Sequence, residues 1–349
     1  MSERIPVAVL AATGSVGQRF IQLLDNHPWF EVTALTGSDR SVGQTYGEAC
    51  HWLLPEPMPE WARKLVVAPT VPENTNTPIV FSALPANIAQ ETEPAFACAG
   101  VKVFSNASAY RKPADIAILL PEVNPHHAQI VEAQRRLRGW SGYIVTNSNC
   151  TSTGMTVALK ALQDSFGLQL VFAVSLQALS GAGYPGVSAM DIIDNVIPYI
   201  GGEEEKVEQE PRKMLGKIEG DEIVPADFAI SAHTNRVAVS DGHIVCLSVE
   251  TTQRTDARHA IQALRDYQAP EISRDLPSAP QPVIVLRAED NRPQPRLDRN
   301  TGHGMATVVG RVRSDPIYDV KMVVLSHNTV RGAAGGSIYN AELMVKMGL

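Results

Sequence analysis

The stretch of this chain richest in chemistry is Asn147-Ser148-Asn149-Cys150-Thr151-Ser152-Thr153-Gly154. An apolar run, Gly142 to Val145, ends just before it, and the spacing predicts a helix over Thr151–Phe166. A thiol at a helix N-terminus has its thiolate stabilised by the positive end of the helix dipole. Such a thiolate is a good nucleophile toward a carbonyl. A cysteine outside such a setting is more often a small buried structural residue. Cys50, Cys98 and Cys246, among apolar or helical neighbours, read that way. No two of the four cysteines form a CxxC pair, which argues against a zinc cluster and against a disulfide framework.

A nucleophilic thiol needs a proton partner, and the chain offers nine histidines. His243 closes the segment Asn235-Arg236-Val237-Ala238-Val239-Ser240-Asp241-Gly242-His243, where a strand turns through Asp-Gly and restarts. Spacing alone leaves a partner role and a structural role equally open. The acidic run around Glu203 and Lys206, Gly-Gly-Glu-Glu-Glu-Lys-Val-Glu-Gln-Glu, reads equally well as a solvated helix face.

A second constellation lies at the N-terminus. Val7 to Leu10 form a short apolar run suited to a buried parallel strand. Ala11-Ala12-Thr13-Gly14-Ser15-Val16-Gly17 follows, and then Phe20, Ile21, Leu23 and Leu24 recur at helical spacing. Strand, small-residue turn and helix are the context a dinucleotide fingerprint requires. Gly14 lets the backbone approach a pyrophosphate, Gly17 lets helix and strand pack closely, and amides at the helix start face the phosphate charge. Ala11 stands where the first fingerprint glycine is usual, so a plain tight connection is the competing reading. After the second strand comes Thr36-Gly37-Ser38-Asp39-Arg40-Ser41. Ser38, Arg40 and Ser41 suit a ribose 2′-phosphate, hence NADP. Asp39 leaves NAD open.

These groups need a scaffold. Strands are predicted over Val32–Leu35, 78–84 and 100–104, with a helix over Ala89–Ala99 between the last two. The alternation predicts an α/β, Rossmann-type, doubly wound parallel sheet. Past residue 150 the strands lengthen and alternate, at Val171–Leu176, Val237–Val239, His243–Glu250 and Met305–Arg313. They predict an α+β catalytic and dimerisation domain with a mixed sheet. Residues 275–300 read as an extended loop. The expected division is 1–149 for the dinucleotide domain, completed by a C-terminal helix over 329–349, and 150–328 for the second domain. Length suits two domains, with 349 residues, 44% hydrophobic and 19% charged. A diffuse net charge of -7 argues against a nucleic-acid binder. No apolar segment is long enough for a bilayer, so the expected location is cytoplasmic.

The segments AATGSVGQRF, FSNASAYR, NSNCTSTG, LQALSGAGYPG, DNVIPYIGGEEEK, NRVAVSDGH, RPQPRLDR and NTVRGAAGG run over nearly the whole chain. Together they resemble the aspartate-β-semialdehyde dehydrogenase family, in its fungal and archaeal branch. The resemblance implies NADPH-dependent reduction of L-aspartyl-4-phosphate through a Cys150 thioester, with His243 as acid/base and no metal. It implies that Asn149 and Gln177 orient the acyl group and that Arg236 binds the substrate carboxylate. Glu203 would take its ammonium, and Arg111 and Lys206 the phosphate. Thr13, Gly14, Ser15, Val16, Ser38, Arg40, Ser41, Ser82, Leu84, Gly181, Gly183 and Asn328 would contact NADP. Relatives pair through the second domain, so a homodimer or homotetramer is expected. Malonyl-CoA reductase and N-acetyl-glutamyl-phosphate reductase share the plan and are the neighbouring readings. A non-catalytic NADP-binding sensor is the distant one. Ala11, Thr151-Ser152 and His233-Thr234 depart from the family's usual residues without removing a proposed chemical group.

Overall fold

The apolar run Val7–Leu10 has no exposed residue and faces both ways. Val7 and Val9 join one hydrophobic cluster, while Ala8 and Leu10 join another on the opposite side. A strand buried on both faces needs a layer of helices on each, and the fold supplies them. A computed structural model describes residues 4–349. Six parallel strands, β1 (Ile5–Leu10), β2 (Phe30–Thr36), β3 (Val67–Ala68), β4 (Ile79–Ser82), β5 (Lys102–Ser105) and β6 (Tyr143–Thr146), stand in the order 3-2-1-4-5-6. Helix Ser15–Leu24 packs Phe20 and Ile21 on the Val7 face, and helix Ala86–Cys98 packs Ala89 and Phe96 on the Leu10 face. The C-terminal helix Gly335–Lys346 brings Ile338, Leu343 and Met344 into the same cluster as Val7 and Phe30. Strand order reverses between β1 and β4, which opens a crevice at their carboxyl ends.

The second sheet is mixed. Its strands are β7 (Leu170–Gln177), β10 (Ala229–Arg236), β11 (His243–Glu250), β12 (Ile284–Arg287), β13 (Thr307–Ser314) and β14 (Val320–Ser326), in the order 10-7-11-14-13-12. The end pairs β10–β7 and β12–β13 are parallel and the rest antiparallel. The hairpin of β8 (Lys217–Glu219) and β9 (Glu222–Val224) lies apart. Helices Cys150–Phe166 and Ala257–Asp266 cover one face, where Met155, Leu162 and Leu264 meet Val171, Val245 and Val324. On the other face Phe172, Val174, Leu176, Ile244 and Val323 are only part-buried.

The structure redraws several expected elements. The strand expected at Val237–Val239 ends at Arg236, and its residues are Ala229–Arg236. Alternation there is weak because β10 is an edge strand. Residues 275–300 contain β12 and a helical turn, Pro295–Asp298, hidden among prolines and charges. Cys98 and Cys246 are exposed, and only Cys50 is the buried residue all three were expected to be. Cys98 sits at the end of its helix, and Cys246 points to the open face of β11.

The acidic run is not a solvated face. It forms helix Glu203–Met214, which lies along the edge strand β10. Glu204 and Glu208, one turn apart, accept hydrogen bonds from the outward amides of Thr234 (3.1 Å) and Ala232 (3.0 Å). Unpaired edge amides invite another chain, and two carboxylates satisfy them here. Glu203, Val207 and Glu210, spaced i, i+4, i+7, turn inward.

Candidate active site

Three parallel strands of the first sheet deliver the cleft's near wall from their carboxyl ends. β4 leads to Leu84, β5 to Asn106–Arg111, and β6 to the Asn147–Cys150 turn. The far wall comes from the second domain, from Gln177, Gly181, Gly183, Glu203, Lys206, Arg236 and Asn328, and Gly332 of the C-terminal segment lines it too. The cleft holds about 580 Å³ and reaches from Ser15 and Val16 of the fingerprint turn to Cys150.

Cys150 is the first residue of its helix. Asn149 caps that helix, its side-chain oxygen accepting from the amides of Thr151 (2.9 Å) and Ser152 (3.2 Å). The other end of the Asn149 amide donates to Glu203 at 2.7 Å. Both ends of Asn149 are therefore occupied, and its side chain holds the helix start and Glu203. Gly332 lies against the cysteine: a Cβ there would come within 2.8 Å of the Cys150 Cβ. Any side chain would drive this wall off the nucleophile.

The Cys150 Sγ lies 3.3 Å from His243 Nε2. His243 is the first residue of β11, and its Nδ1 accepts from the Ala178 amide at 3.0 Å. Asn328 holds the preceding residue, its oxygen accepting from the Gly242 amide at 2.8 Å, while its nitrogen donates to Ser180. Arg236, buried at the end of β10, donates one N–H to the Ala178 carbonyl at 2.7 Å and keeps its other donors.

Electrostatics correct one expectation. The dipole argument predicts a thiol with a lowered pKa. In this cleft the Cys150 thiol is pushed up to about 12, by burial and then by Glu203, with Arg111 and Arg236 opposing. Desolvation outweighs the half-charge of a helix end. His243 is held down to about 3 by burial, Arg236 and His327. Burial therefore favours the neutral form of both partners.

A residue that the sequence did not single out organises the Arg111 end. Glu210 accepts from the Asn149 amide (2.5 Å) and from Arg111 (3.2 Å). Burial raises its pKa and Arg111 lowers it. Arg111 is no surface arginine: its side chain is 10% exposed and also donates to the Asn106 carbonyl. Lys206 reaches Glu203 at 3.3 Å. The signal that would have found Glu210 is its i+7 spacing from Glu203, obscured by the acidic neighbours. Gln177 lines the cleft and donates to Ser175.

At the cofactor end the fingerprint turn has a distinctive backbone. Ala11 sits at φ 55°, a left-handed conformation that glycine adopts freely. At Gly17 a Cβ would come within 2.5 Å of the Ala11 carbonyl, which is the close helix–strand approach that a fingerprint glycine permits. Gly14, the helix N-cap, is exposed, and the neighbouring Thr13 accepts a bond from Gln18 through its carbonyl. Ser38 and Arg40 are exposed and Ser41 part-buried, in the turn after β2. Arg40 has no carboxylate partner among the described residues. Ser82 is fully buried beside Glu93 and not on the cleft wall.

A doubly wound sheet of strand order 3-2-1-4-5-6, a mixed-sheet domain and a Cys–His pair in the cleft between them define a class of two-domain nucleotide-dependent oxidoreductases. Residues 6–131 match the family model of the semialdehyde dehydrogenase NAD binding domain, and residues 159–331 that of the semialdehyde dehydrogenase dimerisation domain. The aspartate-semialdehyde dehydrogenase of Archaeoglobus fulgidus is 51% identical over 98% of each chain, and that of Saccharomyces cerevisiae 42% over 98% of each. Among solved structures, aspartate semialdehyde dehydrogenase with NADP from Candida albicans superposes with a TM-score of 0.92, at 41% identity over 99% of each chain. The chain belongs to the aspartate-semialdehyde dehydrogenase family.

Proposed function

We propose that this chain catalyses the reversible, NADPH-dependent reductive dephosphorylation of L-aspartyl-4-phosphate to L-aspartate 4-semialdehyde, a step toward lysine, threonine and methionine. The observation that carries this reading is the Cys150–His243 contact of 3.3 Å, set in a cleft whose wall holds Arg111, Lys206, Glu203 and Arg236. Three cations and one carboxylate match a ligand with two anionic groups and one ammonium.

In this reading the Cys150 sulfur attacks the acyl carbon as His243, the acid/base, takes the thiol proton, and phosphate departs, leaving a thioester. Arg236 takes the substrate carboxylate with the guanidinium donors that Ala178 does not use. Glu203 takes the ammonium, and Arg111 and Lys206 the phosphate. Gln177 orients the acyl group, whereas Asn149 acts through the helix start and Glu203. The amides after Cys150 already bind Asn149, so the Cys150 amide is the candidate oxyanion donor.

NADPH, when bound, supplies the hydride. Thr13, Gly14, Ser15 and Val16 fit its pyrophosphate, and Ser38, Arg40 and Ser41 its 2′-phosphate, with Arg40 as the free cation. Leu84, Gly181, Gly183 and Asn328 line the cleft where its nicotinamide end would lie. Ser82 contributes through its position at the end of β4 and not through its hydroxyl. We place the domain boundary at 149/150, with 329–349 returning to the first domain. The partner is a second copy on the open face of the mixed sheet, giving a homodimer or homotetramer in the cytosol. No helix of the described residues is long and apolar enough to cross a membrane.

The test is a spectrophotometric assay of purified protein. Aspartate semialdehyde, phosphate and NADP should give phosphate-dependent NADPH formation, faster than with NAD. Turnover of malonyl-CoA or N-acetyl-glutamyl phosphate in place of the aspartate substrates would overturn the assignment.

A further inference from the structure

We propose that Glu93, a carboxyl behind the cleft, is a positioning residue for Arg111: it holds Ser105 and, through it, the Asn106–Arg111 segment that presents the guanidinium to the phosphate. The proposal rests on the acyl-phosphate reading above and concerns how the Arg111 end of that site is built.

Arg111 stands in the turn that follows β5. A charged group on a turn keeps its place only if the turn is tied to a rigid element. Two of its donors are used inside the protein, Nη2 on the Asn106 carbonyl at 2.7 Å and Nη1 on Glu210 at 3.2 Å. Its buried Nε has no partner among the described residues. Asn106 belongs to the same segment, so a shift of the segment carries the guanidinium with it.

The tie comes from helix Ala86–Cys98, and it has two points. At the near end Glu93 is fully buried, and its Oε1 accepts from the Ser105 hydroxyl at 2.6 Å. The same hydroxyl accepts from the Ala107 amide at 3.1 Å, so Glu93 orients the group that turns the chain out of β5. At the far end the Tyr110 hydroxyl donates to the Gln90 carbonyl at 2.6 Å. That carbonyl is free to accept because the residue four positions on is Pro94, which has no N–H to give it. Two neighbours in sequence, Glu93 and Pro94, thereby create both holds.

A carboxyl is a costly group to keep at this place. Burial pushes Glu93 up to about 7, against the pull of Ser105, Ser82 and Arg111. The hold itself does not depend on charge. A proton would go to Oε2, which has no partner among the described residues, and leave Oε1 to accept. Glu93 lies off the cleft wall, so its effect on a ligand must pass through Arg111.

The test is steady-state kinetics with aspartate semialdehyde, NADP and varied inorganic phosphate. Phosphate-dependent NADPH formation by the unaltered chain establishes the reaction first, so its failure is distinct from a failure of this proposal. Glu93→Leu, which fills the space and accepts nothing, should lose about tenfold in kcat/KM for phosphate, the scale of one buried hydrogen bond and the misplacement that follows its loss. Its KM for NADP should stay within about twofold. Glu93→Gln, whose oxygen still accepts from Ser105, should stay within about threefold of the unaltered chain. Tyr110→Phe removes only a part-exposed hydroxyl and should lose about two- to fivefold for phosphate. In an Arg111→Ala background, Glu93→Leu should cost less than about twofold more, because the residue it positions is gone. A second tenfold loss there, equal losses for phosphate and NADP, or a glutamine variant no better than leucine overturns the proposal. If Glu93→Leu does not fold, the test falls to Tyr110→Phe, and unchanged phosphate kinetics in that variant overturns it.

Discussion

The two ends of the cleft are built by different means. The cofactor end is built around backbone: the four-residue turn Ala11–Gly14 between β1 and its helix, followed by the closely packed Gly17. At the Cys150 end, recognition is the work of side chains drawn from β5, β6, β10, β11 and helix Glu203–Met214, many of them charged and buried. The difference is one of tolerance. A backbone site keeps its shape if the chain path survives, and the path survives here with Ala11 at φ 55° in a glycine position. A side-chain site in a buried setting has no such slack, because each group is another's hydrogen-bond partner. Removing one strands the next.

Replacing single residues tests that contrast, and the largest effect should fall on the nucleophile. Cys150→Ser should lower kcat by about 10⁴-fold or more, the scale of removing a covalent nucleophile. NADPH affinity, measured by fluorescence titration, should hold, since the backbone end is untouched. Near-normal turnover would end the nucleophile role, and lost NADPH binding would end the separation of the two regions.

Next in size is a pair behind the cleft. Arg331 and Glu122 are fully buried, and two guanidinium nitrogens donate to one carboxylate oxygen, at 2.9 and 2.6 Å. Arg331 belongs to the turn that carries Gly332 against Cys150. Arg331→Met leaves Glu122 buried and uncompensated, and should cost about 3–5 kcal/mol in urea unfolding. The double variant with Glu122→Leu should recover much of that, because two apolar residues replace a pair whose charges both needed desolvation.

A smaller loss is expected from Arg236→Lys. One donor must still meet the Ala178 carbonyl, and an ammonium lacks the planar fork that serves a carboxylate as well. We expect kcat/KM for aspartate semialdehyde to fall about 10–100-fold, with KM for NADP unchanged. An unchanged kcat/KM would remove Arg236 from the substrate site. The smallest effect belongs to the backbone end. Ala11→Gly relieves a left-handed alanine and should raise stability by about 0.5–1 kcal/mol, with activity retained. A loss of stability would show that unfolded-chain entropy dominates at that position.

Much of the first domain was readable because its signals are local. The apolar run at Val7, the glycines at 14 and 17 and the helical recurrence of Phe20 lie within one strand–turn–helix unit. The second domain was readable only in part. Strand β10 was misplaced to Val237–Val239 because its buried positions include the polar Thr234 and Arg236, which blurs the apolar alternation. Helix Glu203–Met214 looked solvated because its carboxylates bind strand amides, a use that composition does not reveal. Strand β14, which pairs with His243's strand, was missed as an element.

The sequence by itself determined that Cys150 opens a helix, that a fingerprint turn precedes another, and, through segments spread along the chain, which family the chain belongs to. Tertiary structure alone decided what Cys150 is like. A residue 93 positions away places its Nε2 at the sulfur, and the Ala178 amide donates to the other nitrogen of that ring. It also decided that burial and Glu203 raise the thiol above what a helix end can lower. Helix starts and tight turns depend on neighbours along the chain, so a sequence records them. Desolvation and long-range contacts depend on neighbours in space, which a sequence reveals only when it has folded.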